Sequence, residues 1–287
     1  MNSGGSMNEG IAKYKDRDPI DTIFDIRDKL NQIGVFLIEE NWFSIENNCY
    51  SVNLVDSLGN GASNGKGVTR ELALASAYGE FIERLQGNCM INKRFGSKEF
   101  DDMADCFESI VCTPDEVFEA HRMLIDENSE EKIKSIVKEM GLKSKVLYRN
   151  ILNGDSTYLS DELIDVLCGS NGLCAGNTPE EAMLQGLCEI AERYSMRQFY
   201  LDSTLSLSRI PESELERLPV YSLIQNIRES GYELQIKDAT LGGVLPVVVL
   251  VLFNKKQSGY ILNWGASPIL SVAIEKCITE VFQGANI

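Results

Sequence analysis

Apolar side chains recur at helical spacing between Asp18 and Asn31, at Ile20, Ile23, Ile26 and Leu30. After Ile33 and Gly34 the chain changes to VFLIEE and then YSVNLVD, which predicts a helix followed by strands. The glycine-rich NGASNGKG reads as a loop that leads into a helix beginning after Thr69. Residues 113–140 open on TPDE, a threonine cap with proline at the first helical position and an acid at the third. They continue as an acidic amphipathic helix, a pattern expected of a solvated excursion on the surface. VLYRNIL and STYLSDEL are strand-like, and a second glycine-rich loop introduces a helix over residues 179 to about 200. A further helix is predicted near Tyr221 to Ser230. YELQIKDA, LPVVVLVLFN and SGYILNWG then read as strands before a last helix from Pro268. Strands interleaved with helices predict an α/β or α+β fold with a large mixed sheet.

Composition narrows the classes of function. A hydrophobic content of 44% in 287 residues is ample for a core. The longest apolar run, Val244 to Phe253, contains a proline and falls well short of the roughly 20 residues of a membrane span. No signal-peptide pattern opens the chain, so a cytoplasmic protein is expected, with residues 1–14 a flexible tail. The formal charge of -16 opposes nucleic-acid binding, because no basic patch offsets it. It does not oppose a small phosphate ligand, since Mg²⁺ converts a carboxylate cluster into a phosphate site. The eight cysteines form no C-x-x-C pair and do not cluster with histidine, so neither zinc nor a disulfide framework is indicated. Cys174, in the second glycine-rich loop, is expected to be packed rather than nucleophilic. The single histidine, His121, lies in the acidic helical segment, which argues against hydrolase triads.

Two stretches about a hundred residues apart resemble each other: SNGKGVTRELALASAYGEFIER at 63–84 and SNGLCAGNTPEEAMLQGLCEIAER at 170–193. Superposing Thr69 on Thr178 pairs Ala73 with Ala182, Glu80 with Glu189, Glu83 with Glu192 and Arg84 with Arg193. The same ruler on the last helix, with Ala273 in the alanine slot, finds Glu280 and Gln283. The position three after each alanine is polar: Ser76, Gln185 and Lys276. Residues three and four apart share a helix face, so each set forms one stripe. One such helix alone reads as a solvated end, with an i,i+4 ion pair worth about 0.3–0.5 kcal/mol. Three in phase, with small residues at Ala73, Ala75, Gly79, Ala182 and Gly186, predict stripes drawn inward against other backbone. Two like charges about 4 Å apart cost about 4 kcal/mol at an effective dielectric near 20, so converging carboxylates require cations, and Mg²⁺ prefers oxygen ligands. Gly65, Gly67, Gly172 and Gly176 permit close backbone approach, and the helix starts after Thr69 and Thr178 offer N–H groups to an anion. This is not a P-loop, because Lys66 is followed by glycine where serine or threonine belongs.

At these positions the chain resembles the YcaO family, whose pattern Ser-x-x-x-Glu-x-x-Glu-Arg is matched by Ser76, Glu80, Glu83 and Arg84. SNGLCAGNT with EIAER matches the second family motif and ITEVFQ the third. The resemblance runs from KDRDPIDTI at 15–23 through ATLGGVLPVVVLVLFN at 239–254 and is nearest the stand-alone enterobacterial type. It implies a YcaO-type ATP-binding domain over 15–287, a homodimer, and ATP and Mg²⁺ as cofactors. The implied reaction activates a peptide backbone amide. A nucleophile attacks the carbonyl, the amide oxygen takes the γ-phosphoryl group, and loss of phosphate leaves an azoline, thioamide or amidine. The implied partners are a protein or peptide substrate and, for the stand-alone type, a companion enzyme of ribosomal-protein methylthiolation. Carried over by position, Lys15, Thr22, Ser76, Glu80, Arg84, Asn177, Gln185, Glu189, Arg193, Lys276 and Glu280 contact nucleotide. Glu80, Glu83, Glu189, Glu192 and Glu280 hold metal, and Arg193, Lys276 and Gln283 serve the transfer step. Lys276 departs from the family's usual arginine and lacks its bidentate fork. The family's C-terminal region is expected beyond Ile287. A non-catalytic nucleotide-binding accessory and a structural scaffold are the competing readings.

Overall fold

The computed structural model describes residues 15–45, 49–59, 61–87, 109–254 and 259–283. The tail expected over 1–14 lies outside them. Contacts divide the chain into two units, Met1–Glu83 with Asn171–Ile287, and Arg84–Ser170. The chain begins with α1 (Pro19–Gln32), β1 (Leu37–Ile45), β2 (Cys49–Asp56), β3 (Ala62–Gly67) and α2 (Arg70–Gln86). The second unit contains β4 (Ser109–Val111), α3 (Pro114–His121), α4 (Glu130–Met140), β5 (Ser144–Arg149), β6 (Ser156–Leu159) and α5 (Asp161–Cys168). The first unit resumes with α6 (Pro179–Leu201), α7 (Glu212–Leu215), α8 (Tyr221–Glu229), β7 (Tyr232–Asp238), β8 (Val247–Asn254), β9 (Tyr260–Ala266) and α9 (Leu270–Val281).

The protein is mixed α/β, but the described strands do not form one large mixed sheet. They form three antiparallel three-stranded sheets, ordered β1-β2-β3, β4-β5-β6 and β7-β8-β9. Within the first and last sheets consecutive strands are joined directly, with no crossover helix to permit parallel pairing. The first unit thus contains helix, three-stranded meander and helix twice: α1-β1-β2-β3-α2 and α8-β7-β8-β9-α9.

The run VVVLVLF is apolar throughout because β8 is covered on both faces. Val248, Leu250 and Leu252 join α8 and α9 in one core, while Val247 and Val249 join Trp264, Cys188, Met196 and Phe199 in another beneath α6. β7 is covered on one face and alternates accordingly, with Leu234 and Ile236 buried and Glu233 and Gln235 exposed. α9 buries eight of its twelve residues because it packs on β8 and β9 and also meets β2 and β3.

NGASNGKG is largely strand, not loop. β3 pairs with β2 from Val55↔Ala62 to Tyr50↔Gly67. Its glycines admit a helix rather than a ligand: a Cβ on Gly65 would lie 1.9 Å from the Ala73 carbonyl oxygen and 2.5 Å from the Ala77 nitrogen. Gly265 on β9 meets α9 in the same way, 2.4 Å from Ala273 O and 3.0 Å from Cys277 N. At the second repeat a Cβ on Gly176 would lie 2.4 Å from Ala182 N, and one on Gly186 would lie 2.9 Å from Gly172 O and 3.0 Å from Cys174 Sγ. In all three the alanine amide donates to the residue four before it, at 3.0 Å from Thr69 O, Thr178 O and Ile269 O. The helix starts are also occupied locally, since Thr69 Oγ1 accepts from Leu72 N and Thr178 Oγ1 from Glu181 N, both at 3.2 Å.

In the second unit the segment 113–140 is not a solvated excursion. The capping box at Thr113 and Glu116 forms, but the helix breaks into α3 and α4 with 3₁₀ turns between. Val117, Phe118, Ile133 and Val137 bury with Leu142 and Leu163 as that unit's core. STYLSDEL splits likewise into β6 and the start of α5. His121 is fully buried, with Nδ1 2.8 Å from Val117 O and Nε2 3.1 Å from Ser160 N. Those partners select a neutral ring that donates at Nδ1 and accepts at Nε2, a structural role.

Gly65→Ala should lower unfolding stability by about 3 kcal/mol, the upper end of overpacking costs, because the clash is with backbone that cannot swing aside. Gly79→Ala, inside α2 with nothing within 4 Å of its Cβ position, should raise it by about 0.5–1 kcal/mol. Urea denaturation of the two variants checks both.

Candidate functional site

The helix–strand crossings set the direction of every later side chain on α2, α6 and α9. Seven and ten residues after the alanines stand Glu80 and Glu83, Glu189 and Glu192, and Glu280 and Gln283, and all six are partly buried. None projects freely into bulk water. Lys66 Nζ on β3 reaches Glu280 Oε2 at 2.7 Å, and Gln283 Nε2 donates to Asn64 O at 2.7 Å, so the carboxyl end of α9 is tied to β3. Lys276 Nζ donates to Gln185 Oε1 at 2.7 Å and links α9 to α6. Arg193 lies 3.6 Å from Glu189 and 4.0 Å from Glu192, and its Nε is buried with no hydrogen-bond partner among the described residues. Gly172 N donates to Glu189 Oε2 at 3.2 Å.

A second group gathers at the start of α6. Lys15 Nζ pairs with Glu181 at 2.9 Å, Asp16 N donates to the same carboxylate at 3.1 Å, and Asn177 Nδ2 donates to it at 3.2 Å. Thr22 Oγ1 donates to Asn177 Oδ1 at 2.8 Å. Burial by itself would raise the Glu181 carboxyl, but Lys15, Asn177 and Asp16 N together hold it below the usual glutamate range. Glu181 was not legible as a site residue because an acid three positions after a capping threonine reads as part of the cap.

The two groups share one electrostatic field. Glu192 is pushed up to about 7, first by burial and then by Glu280 and Glu189, against the pull of Arg193 and Lys66. Burial holds Lys276 below the ordinary lysine range, helped by Lys15 and Lys66. Burial likewise raises the Cys174 thiol, which Glu83 and Glu189 push further up, so this cysteine is a packed side chain. Glu83 on α2 thus acts on the same thiol as Glu189 on α6. Ser76 and Glu80 lie on its stripe, and Arg84 falls at the start of the second unit.

Among the described residues no three acidic, cysteine or histidine side chains enclose a common point. Glu181, Glu189, Glu192 and Glu280 each have a cation within 4.0 Å, which is how a partly buried acidic cluster lowers its self-repulsion. The donor set nevertheless fits a hard divalent ion: oxygen ligands only, one carboxyl whose charge is disfavoured by burial and by neighbouring carboxylates, and beside it a guanidinium nitrogen with no hydrogen-bond partner among the described residues.

Fold and site together define a mixed α/β protein with a site of interleaved carboxylates and cations and no P-loop. The chain belongs to the YcaO family: the model described as YcaO cyclodehydratase, ATP- and Mg²⁺-binding, matches residues 64–286. It is 31% identical over 307 residues to the ribosomal protein S12 methylthiotransferase accessory factor YcaO of Escherichia coli, covering 98% of this chain and 51% of that protein. It is 30% identical over 291 residues to an uncharacterized protein of Haemophilus influenzae, covering 95% and 49%. The chain therefore spans about half the length of the curated relatives it matches. A heterocyclase solved in complex with substrate and cofactor shares the fold at TM-score 0.67 and 18% identity, over 94% of this chain and 40% of that one. YcaO from Methanopyrus kandleri, solved with AMPPCP and Mg²⁺, does so at 0.59 and 19%, over 93% and 67%. Among the described residues no helix is long and apolar enough to cross a membrane.

Glu192 and the buried Glu275 both sit at about 7, above the usual 4.5, and burial is the main cause for each. A carboxyl raised by folding contributes stability that is full below about pH 4.5 and lost as pH rises through about 7. The melting temperature of the metal-free protein should therefore fall across this window. Glu192→Gln and Glu275→Gln should each flatten part of the fall, by of order 1–3 kcal/mol. Thermal melts in magnesium-free buffer from pH 5 to 8 read it directly.

Proposed function

We propose that this chain binds ATP with Mg²⁺ between the acidic faces of α2, α6 and α9 and uses it to activate a peptide backbone amide. The observation that carries the reading is the cluster of Glu189, Glu192, Glu280, Arg193, Lys66 and Lys276, in which burial, then Glu280 and Glu189, raise Glu192 to about 7. Glu80, Glu83, Glu189, Glu192 and Glu280 would hold the metal. When bound, Mg²⁺ supplies charge neutralisation of the phosphate oxygens. Ser76, Asn177, Gln185, Lys15 and Thr22 position the nucleotide, and Arg193 and Lys276 offset negative charge on the transferring group. Gln283, anchored on Asn64 O, holds the end of α9 in register. A thiol, hydroxyl or sulfide attacks the amide carbon, the oxygen so formed takes the γ-phosphoryl group with release of ADP, and phosphate then leaves with the former amide oxygen. Positioning and charge neutralisation do most of the work in such a transfer, which suits a site without histidine. The substrate is a protein or peptide, and the chain acts as a cytoplasmic homodimer.

The name of the Escherichia coli relative favours a second reading, a nucleotide-binding accessory that docks a methylthiolation enzyme. The readings part on turnover: the enzyme releases ADP and phosphate when an acceptor peptide is added, whereas the accessory binds ATP and does not turn it over.

Calorimetry with ATP and Mg²⁺ should show binding by the wild type. Glu192→Ala and Arg193→Ala should each weaken it at least about tenfold. Cys174→Ser, which alters only packing against Gly186, should leave it near wild type. Absence of binding by the folded wild-type protein would remove both readings.

A further inference from the structure

Lys66 lies between two glycines that are pressed against α2, so the strand face it shares with Asn64 is turned toward the end of α9. Its ammonium bonds Glu280 at 2.7 Å, its charge reaches Glu192 and Lys276, and its side chain retains 25% exposure. It therefore stands on the one α9 carboxylate in phase with Glu80 and Glu189, in the place a divalent ion bound there would claim.

Four cations, Lys15, Lys66, Arg193 and Lys276, lie among Glu181, Glu189, Glu192 and Glu280. A nucleoside triphosphate arrives with its negative charge largely balanced by its own divalent ions. The resident charges thus keep their balance but must exchange partners. A divalent ion on Glu280 would repel the Lys66 ammonium a few ångströms away, and an ammonium left in the site without an acceptor pays a heavy desolvation penalty. A lysine tolerates such an exchange, because it is a compact point charge on a flexible stem. The acceptors that arrive with the metal are phosphoryl oxygens.

We propose that Lys66 is an exchangeable counter-ion of the nucleotide site, holding Glu280 while the site is empty and passing to a phosphoryl oxygen when a divalent ion takes over that carboxylate. The proposal rests on the nucleotide-binding reading above and makes Lys66 a nucleotide contact that the motif residues do not include. Lys66 escaped the sequence reading because it fails the P-loop pattern, although its glycine neighbours are what bring it to the site.

The test is calorimetry of the wild type and Lys66→Met with Mg²⁺ alone and with ATP plus Mg²⁺. Exchange predicts that Lys66→Met weakens ATP binding in Mg²⁺ by about tenfold or more, the loss of a charge-assisted contact. Binding of Mg²⁺ alone stays equal or tightens, because a competitor for Glu280 has gone. Equal affinity of variant and wild type for ATP in Mg²⁺ overturns the proposal, as does a parallel loss of both affinities, which marks Lys66 as a fixed clamp. A wild type that binds no ATP fails the nucleotide reading itself, a result distinct from either. A crystal structure of the wild type with a non-hydrolysable ATP analogue and Mg²⁺ reads the same point without substitution. Lys66 Nζ on a phosphoryl oxygen supports the exchange, and Nζ still on Glu280 overturns it.

Discussion

The contact on which the site depends is backbone against backbone. Where α2 crosses β3 and α9 crosses β9, a strand glycine without a Cβ lets the helix settle onto the ladder at an alanine. A helix seated so closely cannot roll without driving its backbone into the strand. The residues seven and ten positions after the alanine are therefore held in fixed directions. The second repeat makes a similar contact from a loop by exchanging sizes: before α6, Cys174 stands where β3 and β9 have glycine, and Gly186 stands where the other helices have Ala77 and Cys277. Close approach is kept in all three, though the small residue changes sides.

Confining carboxylates in this way creates an electrostatic demand that the protein meets from its own side chains. Lys66 serves Glu280, Arg193 serves Glu189 and Glu192, and Lys15 serves Glu181. Glu192 is raised to about 7, first by its burial and then by Glu280 and Glu189. Partial neutralisation of this kind leaves the carboxylates with oxygen donors of the sort a hard divalent ion prefers. The cations that quiet them are flexible lysines and a guanidinium with one nitrogen unpaired among the described residues.

Much of the site was legible in sequence because the helix period is local. The spacing from alanine to the polar residue and the two acidic slots needs only 3.6 residues per turn to put all of them on one face, and three copies in phase carry that inference without coordinates. The same reasoning misjudged the glycine-rich segment before α2. Glycine depresses strand propensity, so Gly65 and Gly67 looked like loop, whereas pairing with β2 and the weight of α2 make them strand. Lys66 and Glu181 were passed over for a related reason: one failed a known loop pattern and the other resembled a cap, and their partners lie 214 and 166 residues away in the chain.

By itself the sequence determined the order and type of most elements, the family, and which helix faces carry carboxylates, since all of these follow from periodicities and motifs within a few turns of chain. Only the tertiary structure decided that the sheets are three local antiparallel meanders, that residues 113–140 wrap a core of their own, and which cation sits on which carboxylate. Those outcomes depend on what lies across the fold, and burial and Coulomb energy act through space with no regard for separation along the chain.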